Sequence, residues 1–195
     1  MTMNYNLILA SGSPRRQQLL HDLGVPFTVQ LFPVEETYPP ELAPERVATY
    51  LSEKKGQAYQ AHIASNELVI TADTTVLVGD EVLNKPADAA EARGMLIKLS
   101  GTVHRVVTGV SLTRTHTVDT FSDTTYVYFR ALSENEIDYY VRHFQPFDKA
   151  GGYAIQEWIG MVGIEKIEGS YFNVVGLPVE KLYGKLKNLA DIAPR

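Results

Sequence analysis

Short apolar runs alternate with amphipathic segments along the chain. Strands are predicted where apolar, β-branched and aromatic residues concentrate, at 7–10, 27–32, 68–72, 103–112, 118–129 and near 161–167. The sequence from Val76 to Leu83 has the pattern of a hairpin that turns at Gly79 and Asp80. The strand at 68–72 is expected to end at Asp73, which would place a carboxylate at the carboxyl end of a buried strand.

Helices are predicted between these strands from their capping residues. Ser13 can cap a helix that has Pro14 at its first position and stops at Gly24. A second helix opens near Pro44 and is amphipathic, and Lys54 falls on its apolar side because it lies seven residues after Val47. Three more helices are predicted at 88–99, 133–144 and 178–189.

This alternation of strands and helices, with one long pair that looks antiparallel, predicts an α/β fold with a mixed sheet. The chain has 195 residues, of which 45% are hydrophobic, so we expect one globular domain over residues 1–195. A formal charge of −5 argues against broad nucleic-acid binding. No apolar run approaches the roughly 20 residues of a membrane span. Zero cysteines and an opening unlike a signal peptide favour the cytoplasm.

The segment from Ser11 to Arg16 is a candidate phosphate-binding site. Arg15 and Arg16 follow a predicted strand directly, and they lie beside the unpaired N–H groups of a helix N-terminus. The alternative is an ordinary capped helix with two solvated arginines. The pattern of a P-loop does not occur, which disfavours a Walker-type ATPase.

Acidic residues supply a candidate base and candidate metal ligands. Asp73 can act as a general base or hold a metal, and Thr74 and Lys85 could join it across the predicted hairpin. Glu35 and Glu36 lie in an acidic loop and could add a second carboxylate for a hard divalent cation. A turn aspartate and two solvated loop glutamates are the alternatives.

Lys54 and Gln156 can each be given a functional or a structural role. Lys54 either faces an anion or extends its ammonium to water along the helix. Gln156 ends a glycine-containing segment that starts at Asp148, and its amide can pair with the edge of a base, although a turn needs no function. Zinc-site spacing and a nucleophile elbow are both missing from the sequence.

Eight short motifs occur in order along most of the chain, from about Leu7 to Pro178. They are Leu9 to Arg16, Glu53-Lys54, Ala72-Asp73-Thr74, Lys85-Pro86, Ser100-Gly101-x-x-His104, Thr108-Gly109-Val110, Asp148 to Gly151 and Gly169 to Pro178. Together they resemble the Maf family of nucleoside triphosphate pyrophosphatases. The resemblance implies a mixed sheet with flanking helices around a deep cleft, similar to the inosine triphosphate pyrophosphatases. It also implies hydrolysis to the monophosphate and pyrophosphate with a divalent cation, Mg²⁺ or Mn²⁺, and a homodimer.

The resemblance further assigns roles to individual residues. Asp73 matches the general base, Lys54 and Lys85 match lysines that neutralise phosphate charge, and Glu36 with Asp73 would hold the metal. The phosphate-binding loop corresponds to Ser11, Ser13, Arg15 and Arg16. The subgroup that prefers dTTP and UTP is marked by Arg15, Thr74 and Gln156, and the residue after Gln156 is Glu157, where many relatives are expected to have glycine.

The predicted activity is therefore metal-dependent hydrolysis of dTTP and UTP in the housekeeping of nucleotide pools, with no nucleic-acid or membrane partner. A different class of function stays open, because the resemblance also implies effects on septum formation. The protein would then be a nucleotide-binding regulator of cell division with incidental turnover. A nucleotidyl transferase that releases pyrophosphate during sugar activation is a third possibility.

Overall fold

The computed structural model describes residues 5–189, so the first and last residues of the predicted domain, 1–4 and 190–195, lie outside the described part. The strands are β1 (Asn6–Leu9), β2 (Thr28–Val29), β3 (Glu67–Val78), β4 (Glu81–Leu83), β5 (Val103–Arg114), β6 (Thr117–Phe129) and β7 (Ile164–Glu168). The α-helices are α1 (Pro14–Asp22), α2 (Val47–Gln60), α3 (Ala89–Leu99), α4 (Glu134–Phe144), α5 (Trp158–Gly163), α6 (Tyr171–Val175) and α7 (Val179–Leu189). Short 3₁₀ turns occur at Pro44–Arg46 and Ala150–Gly152.

The strands form one sheet in the order β2-β1-β3-β5-β6-β7, with β4 paired to β3. Strand β1 is parallel to β2 and β3, whereas β3 with β4 and β6 with β7 are antiparallel. The predicted α/β class with a mixed sheet is therefore confirmed. Within the described residues 5–189, no helix is long and apolar enough to span a membrane.

Two compact units divide the chain. Unit 1 comprises residues 5–73, 108–123 and 176–189, and unit 2 comprises 74–107 and 124–175. Strands β3, β5 and β6 each contribute residues to both units. The single domain over residues 1–195 stays a prediction, as does the deep cleft.

The core of unit 1 explains the continuous apolar runs of β1 and β3. Leu7 and Leu9 pack in one cluster with residues of α1 and α7, whereas Ile8 packs in another with Tyr59 of α2. Because alternate residues of a strand face opposite sides, both faces of β1 are covered. In β3, Leu68 and Ile70 join the first cluster and Val69 joins the second.

Unit 2 has its own core, in which α3 and α4 bury residues against strand residues. The cluster includes Leu96 and Leu99 of α3, Tyr140 of α4 and Phe129 of β6. The helices begin with the predicted caps, since Asp88 accepts a hydrogen bond from the Glu91 N–H. In α4, Ser133 and Glu136 form a capping box.

Three predictions about elements are wrong. Asp73 does not end a strand, because Thr74, Thr75 and Val76 continue β3 and such β-branched residues favour extended backbone. The strand predicted at 27–32 is reduced to Thr28–Val29. Residues 161–163 belong to helix α5, and only 164–168 form a strand. The predicted hairpin turn at Gly79 and the last helix are confirmed.

Candidate active site

The N-terminus of α1 carries the predicted phosphate-binding residues. Ser13 is the N-cap and its hydroxyl accepts a hydrogen bond from the Arg16 N–H, while Pro14 takes the first helical position. The Ser13 N–H in turn donates to the Ser11 hydroxyl at 3.3 Å. Arg15 is half-buried on the same turn. The structure thus brings Ser11, Ser13, Arg15 and Arg16 together at one helix end, where the helix dipole is positive.

Arg16 is fixed by backbone carbonyls of unit 1. Its Nε donates to the Gly176 carbonyl at 2.8 Å, and Nη1 donates to the Ala72 carbonyl at 2.9 Å. Burial lowers the pKa of Arg16, and the negative charge of Asp73 counteracts part of that effect. Because a guanidinium holds its proton strongly, Arg16 places a positive charge beside Asp73.

Asp73 lies inside β3 and shares a lysine with the acidic loop. Lys55 of α2 donates from Nζ to Asp73 Oδ1 at 2.7 Å and contacts Glu36 Oε1 at 2.8 Å. The side chains of Lys55 and Asp73 are 15% and 13% exposed, whereas Glu36 is 47% exposed. A nearly buried ion pair with a second carboxylate at its open side is therefore the charged centre of unit 1.

Sequence reasoning selected Lys54 and missed Lys55. Lys54 donates from Nζ to the carbonyl and hydroxyl of Thr37, at 2.9 and 3.0 Å, on the exposed side of the acidic loop. The buried side of α2 includes Ser52 and Tyr59, and Lys55 lies three residues after the first and four before the second. That spacing was available in the sequence, but an apolar pattern does not count a buried serine.

The remaining predicted residues lie in unit 2. Thr74 is half-buried on β3, directly after Asp73 in the chain, and Lys85 is exposed after β4. Gln156 is exposed and lines an open pocket of about 440 Å³. The walls of this pocket are mainly apolar, with contributions from Ile155, Met161, Ile164, Ile167 and Tyr171.

Unit 2 also buries a histidine, His104, which contacts Tyr153, three residues before Gln156. His104 Nε2 lies 2.7 Å from the Tyr153 hydroxyl, and its ring packs edge-on against Tyr153 and Phe129. Burial lowers the pKa of His104 to about 3, because an imidazolium loses its hydration there. His104 is therefore neutral near pH 7, and its ring packs in the core of unit 2.

A divalent cation has a limited set of protein ligands here. Among residues 5–189, no group of three or more histidine, cysteine or acidic side chains is arranged to hold a metal ion. Asp73 and Glu36 do direct carboxylate oxygens toward one point, since both contact the same Lys55 nitrogen. Mg²⁺ commonly takes only one or two carboxylates and completes its shell with substrate phosphates and water, so this pair fits such a cation.

Comparison with known proteins identifies the family. The profile described as "Maf-like protein" matches residues 6–189. A protein of Phocaeicola vulgatus named dTTP/UTP pyrophosphatase is 50% identical over 186 residues, which cover 95% of this chain and 96% of that protein. Proteins with the same name from Christiangramia forsetii and Porphyromonas gingivalis are 48% and 45% identical, and each alignment covers 96% of both chains.

A solved structure, that of the Staphylococcus aureus Ham1 protein, aligns with a TM-score of 0.42 at 20% identity and covers 64% of this chain and 71% of that chain. Because this score is low, the fold class depends on the strands and helices described above. The profile match and the curated relatives extend over nearly the full length. By these matches, the chain belongs to the Maf-like protein family.

Proposed function

We propose that this protein hydrolyses dTTP and UTP to the nucleoside monophosphate and pyrophosphate. The observation that carries the proposal is the identity of 45 to 50%, over nearly the whole chain, to proteins named dTTP/UTP pyrophosphatase. The charged centre of unit 1 supports it, because a carboxylate surrounded by fixed cations suits an attack of water on a polyanion.

Charge neutralisation of the triphosphate is the first task of the site. The N-terminus of α1 offers backbone N–H groups together with Arg15 and Arg16, and guanidinium groups pair well with phosphate oxygens. Lys55 has three N–H donors, so it can hold both carboxylates and still contact a phosphate oxygen. Lys85 of unit 2 is assigned a similar role by its motif.

Asp73 is the proposed general base. Its carboxylate would accept a proton from the water that attacks the α-phosphorus, while pyrophosphate leaves on the opposite side. Lys55 orients this carboxylate through the 2.7 Å hydrogen bond to Oδ1. Arg16 fixes the backbone beside it, because its Nη1 binds the carbonyl of Ala72. The base is thus held from its side chain and from its backbone.

Selection of the pyrimidine base is assigned to Gln156. The carboxamide has one acceptor and donor N–H groups, which complement the carbonyl and N–H on the edge of uracil or thymine. The apolar walls of its pocket suit a planar ring. A wrong base would leave the amide unpaired, which gives discrimination a physical cause. Arg15 and Thr74 are the other proposed specificity residues.

The proposed cofactor is Mg²⁺ or Mn²⁺. Asp73 and Glu36 would hold it, and when bound it would neutralise charge on the substrate phosphates. A homodimer and a cytoplasmic location complete the proposal. The first is tested by light scattering of the purified protein. The second agrees with a chain that has zero cysteines.

The decisive experiment measures pyrophosphate release from a panel of canonical and modified nucleoside triphosphates with Mg²⁺, Mn²⁺ or a chelator. We expect release mainly from dTTP and UTP, and only with a divalent cation. If all triphosphates bind but none is hydrolysed, the protein is better described as a nucleotide-binding regulator. If pyrophosphate appears only when a sugar phosphate is added, a nucleotidyl transferase is indicated.

A further inference from the structure

The segment that carries Gln156 is buried along most of its length. Tyr153, Ala154 and Ile155 are each less than a tenth exposed, whereas Gln156 is exposed. Gly160 of α5 packs so closely on this segment that a Cβ there would meet the Ile155 carbonyl oxygen at 1.8 Å. The backbone before Gln156 is therefore closely packed, and Gln156 is the exposed residue that lines the pocket beside Ile155.

Glu157, the next residue, does not use its side chain to cap the helix that it begins. It is the N-cap of α5, but its side chain makes no capping hydrogen bond. Its carboxylate instead accepts a hydrogen bond from the Tyr140 hydroxyl and lies 3.4 Å from Lys149 Nζ. Through these two contacts, Glu157 connects the start of α5 to Tyr140 in α4 and to Lys149 at the start of the segment.

Tyr140 joins both sides of Gln156 through one oxygen. Its hydroxyl donates to Glu157 and accepts the Ala154 N–H at 3.2 Å. Burial, followed by the hydrogen bond to Glu157 and then by its negative charge, raises the pKa of Tyr140, so the hydroxyl keeps its proton and remains a donor. The same atom thus fixes the backbone two residues before Gln156 and the side chain one residue after it.

Lys149 completes this group from the beginning of the segment. Its side chain is 9% exposed, and its ammonium contacts Asp148 at 2.6 Å as well as Glu157. A nearly buried ammonium that lost Glu157 would be left with Asp148, which is 60% exposed. Lys149, Tyr140 and Glu157 therefore form a connected polar group, which we name the Glu157 network.

We propose that Tyr140 and Glu157 are positioning residues that fix Gln156 and so set the selectivity among pyrimidine bases. The inference depends on the proposed function of Gln156 as the residue that contacts the base. An amide distinguishes uracil from cytosine only when its donor and acceptor are held in one orientation, because a rotated amide can pair with either base.

The test compares two tyrosines of unit 2. Tyr140→Phe removes the hydroxyl that holds Ala154 and Glu157, and Tyr153→Phe removes the hydroxyl of another buried tyrosine, which contacts His104. The measurements are kcat and KM for UTP, dTTP and CTP, together with the melting temperature. For Tyr140→Phe we expect the ratio of kcat/KM for UTP over CTP to fall by roughly tenfold, mainly through KM for UTP.

Tyr153→Phe should lower the melting temperature to a similar extent and leave that ratio within about twofold, because the Tyr153 hydroxyl contacts His104 and neither Ala154 nor Glu157. Equal melting shifts with no change of the ratio in either variant would show that the Glu157 network only stabilises the fold. A merely structural role would not separate the two tyrosines.

Glu157 provides a second route if Tyr140→Phe does not fold. Glu157→Gln keeps an oxygen that accepts the Tyr140 hydrogen bond and should retain most of the selectivity, whereas Glu157→Ala should lose it. Equal selectivity in both variants overturns the inference. Gln156→Ala separates the two proposals: unchanged base preference in this variant refutes the role of Gln156 itself, whereas lost preference there with normal preference in Tyr140→Phe refutes only the positioning role.

Discussion

The two units carry different kinds of polar interaction. In unit 1 the interactions at the site are between full charges, with Lys55 held between Asp73 and Glu36 and Arg16 bound to backbone carbonyls. In unit 2 the segment that carries Gln156 also has neutral buried partners, such as the His104–Tyr153 pair, and the Tyr140 hydroxyl orients it beside the ion pair of Lys149 with Glu157. Charge in unit 1 suits a polyanionic phosphate chain, whereas oriented hydrogen bonds in unit 2 suit a neutral base.

This difference predicts whether a substitution should change the rate of hydrolysis or the selectivity and stability. Losing a charged partner changes the treatment of phosphate and therefore the rate. Losing an oriented neutral contact changes fit and stability, since an unpaired buried group costs roughly 1–3 kcal/mol. Removal of the carboxylate at the centre of unit 1 should have the largest effect.

Asp73→Asn keeps the shape of the side chain and removes its capacity to accept a proton as a base. We expect kcat for dTTP to fall by about 1,000-fold, while the dissociation constant of the nucleotide stays within a few-fold. Pyrophosphate release and equilibrium binding are measured on the same preparations. Asp80→Asn, in the turn after β3 where the side chain is 98% exposed, is the control and should keep full activity. Normal turnover by Asp73→Asn would refute the base role.

Within unit 1, the neighbouring residues Lys54 and Lys55 can be compared by the same substitution. Lys55→Met removes the ammonium that contacts Asp73 and Glu36, and kcat/KM should fall by about 10-fold to 100-fold because charged hydrogen bonds are lost. Lys54→Met makes the same change one residue earlier, where the ammonium contacts Thr37, and should cost only about threefold. Equal losses in the two variants would show that Lys54 also binds the triphosphate, as its motif suggests.

The difference between Lys54, which the sequence pattern selects, and Lys55, which it passes over, shows what the sequence can specify. Continuous apolar runs identified β1 and part of β3, because both faces of those strands are covered. Caps such as Ser13 identified the helix starts, because a cap is a local interaction. These features depend on a few adjacent residues, so a single sequence is sufficient to predict them.

The buried side of α2 could not be predicted in that way. Ser52 is fully buried because its carbonyl accepts from the Thr71 hydroxyl and its own hydroxyl lies 3.1 Å from the Ser111 hydroxyl. Both partners are on strands far away in the sequence, so the sequence pattern assigns this serine to the polar face of the helix. The apolar pattern therefore singled out Lys54 and passed over Lys55, and the phosphate role of Lys54 stays a prediction. The ion pair of Lys55 with Asp73 likewise depends on tertiary packing.

In unit 2, His104 should make the free energy of unfolding depend on pH. Its folded pKa of about 3 lies below the value near 6.5 of an unfolded chain. Below pH 6.5 the unfolded state therefore binds a proton that the folded state rejects, so stability falls as the pH falls through this window toward 3. The loss approaches about 1.4 kcal/mol per pH unit, or about 2 kcal/mol at pH 5.

Urea unfolding at pH 7.5, 6.0 and 5.0 measures this contribution. His104→Gln keeps hydrogen-bonding capacity toward Tyr153 and should be less stable than the wild type at pH 7.5, but with a shallower loss on acidification. His116→Gln, at an exposed turn position of unit 1, should retain the wild-type slope. The same slope in His104→Gln and the wild type would mean that acid unfolding is governed by other groups.

The smallest expected effect separates helix propensity from packing, with one glycine in each unit. Gly94 lies in α3 with open space around the site of a Cβ, so Gly94→Ala should stabilise unit 2 by about 0.5–1 kcal/mol. Gly56 lies in α2, where a Cβ would meet the hydroxyl oxygen of Thr113 at 2.4 Å. Thr113 is fully buried, so overpacking of about 1–3 kcal/mol should outweigh the same gain in propensity. Opposite signs of the shift in melting temperature are therefore expected for the two glycine-to-alanine substitutions.

If Gly56→Ala instead stabilised the protein, α2 would have to move away from β5 to make room for the methyl group. The position of Lys55, which lies beside Asp73, would then be less fixed than the close approach at Gly56 implies.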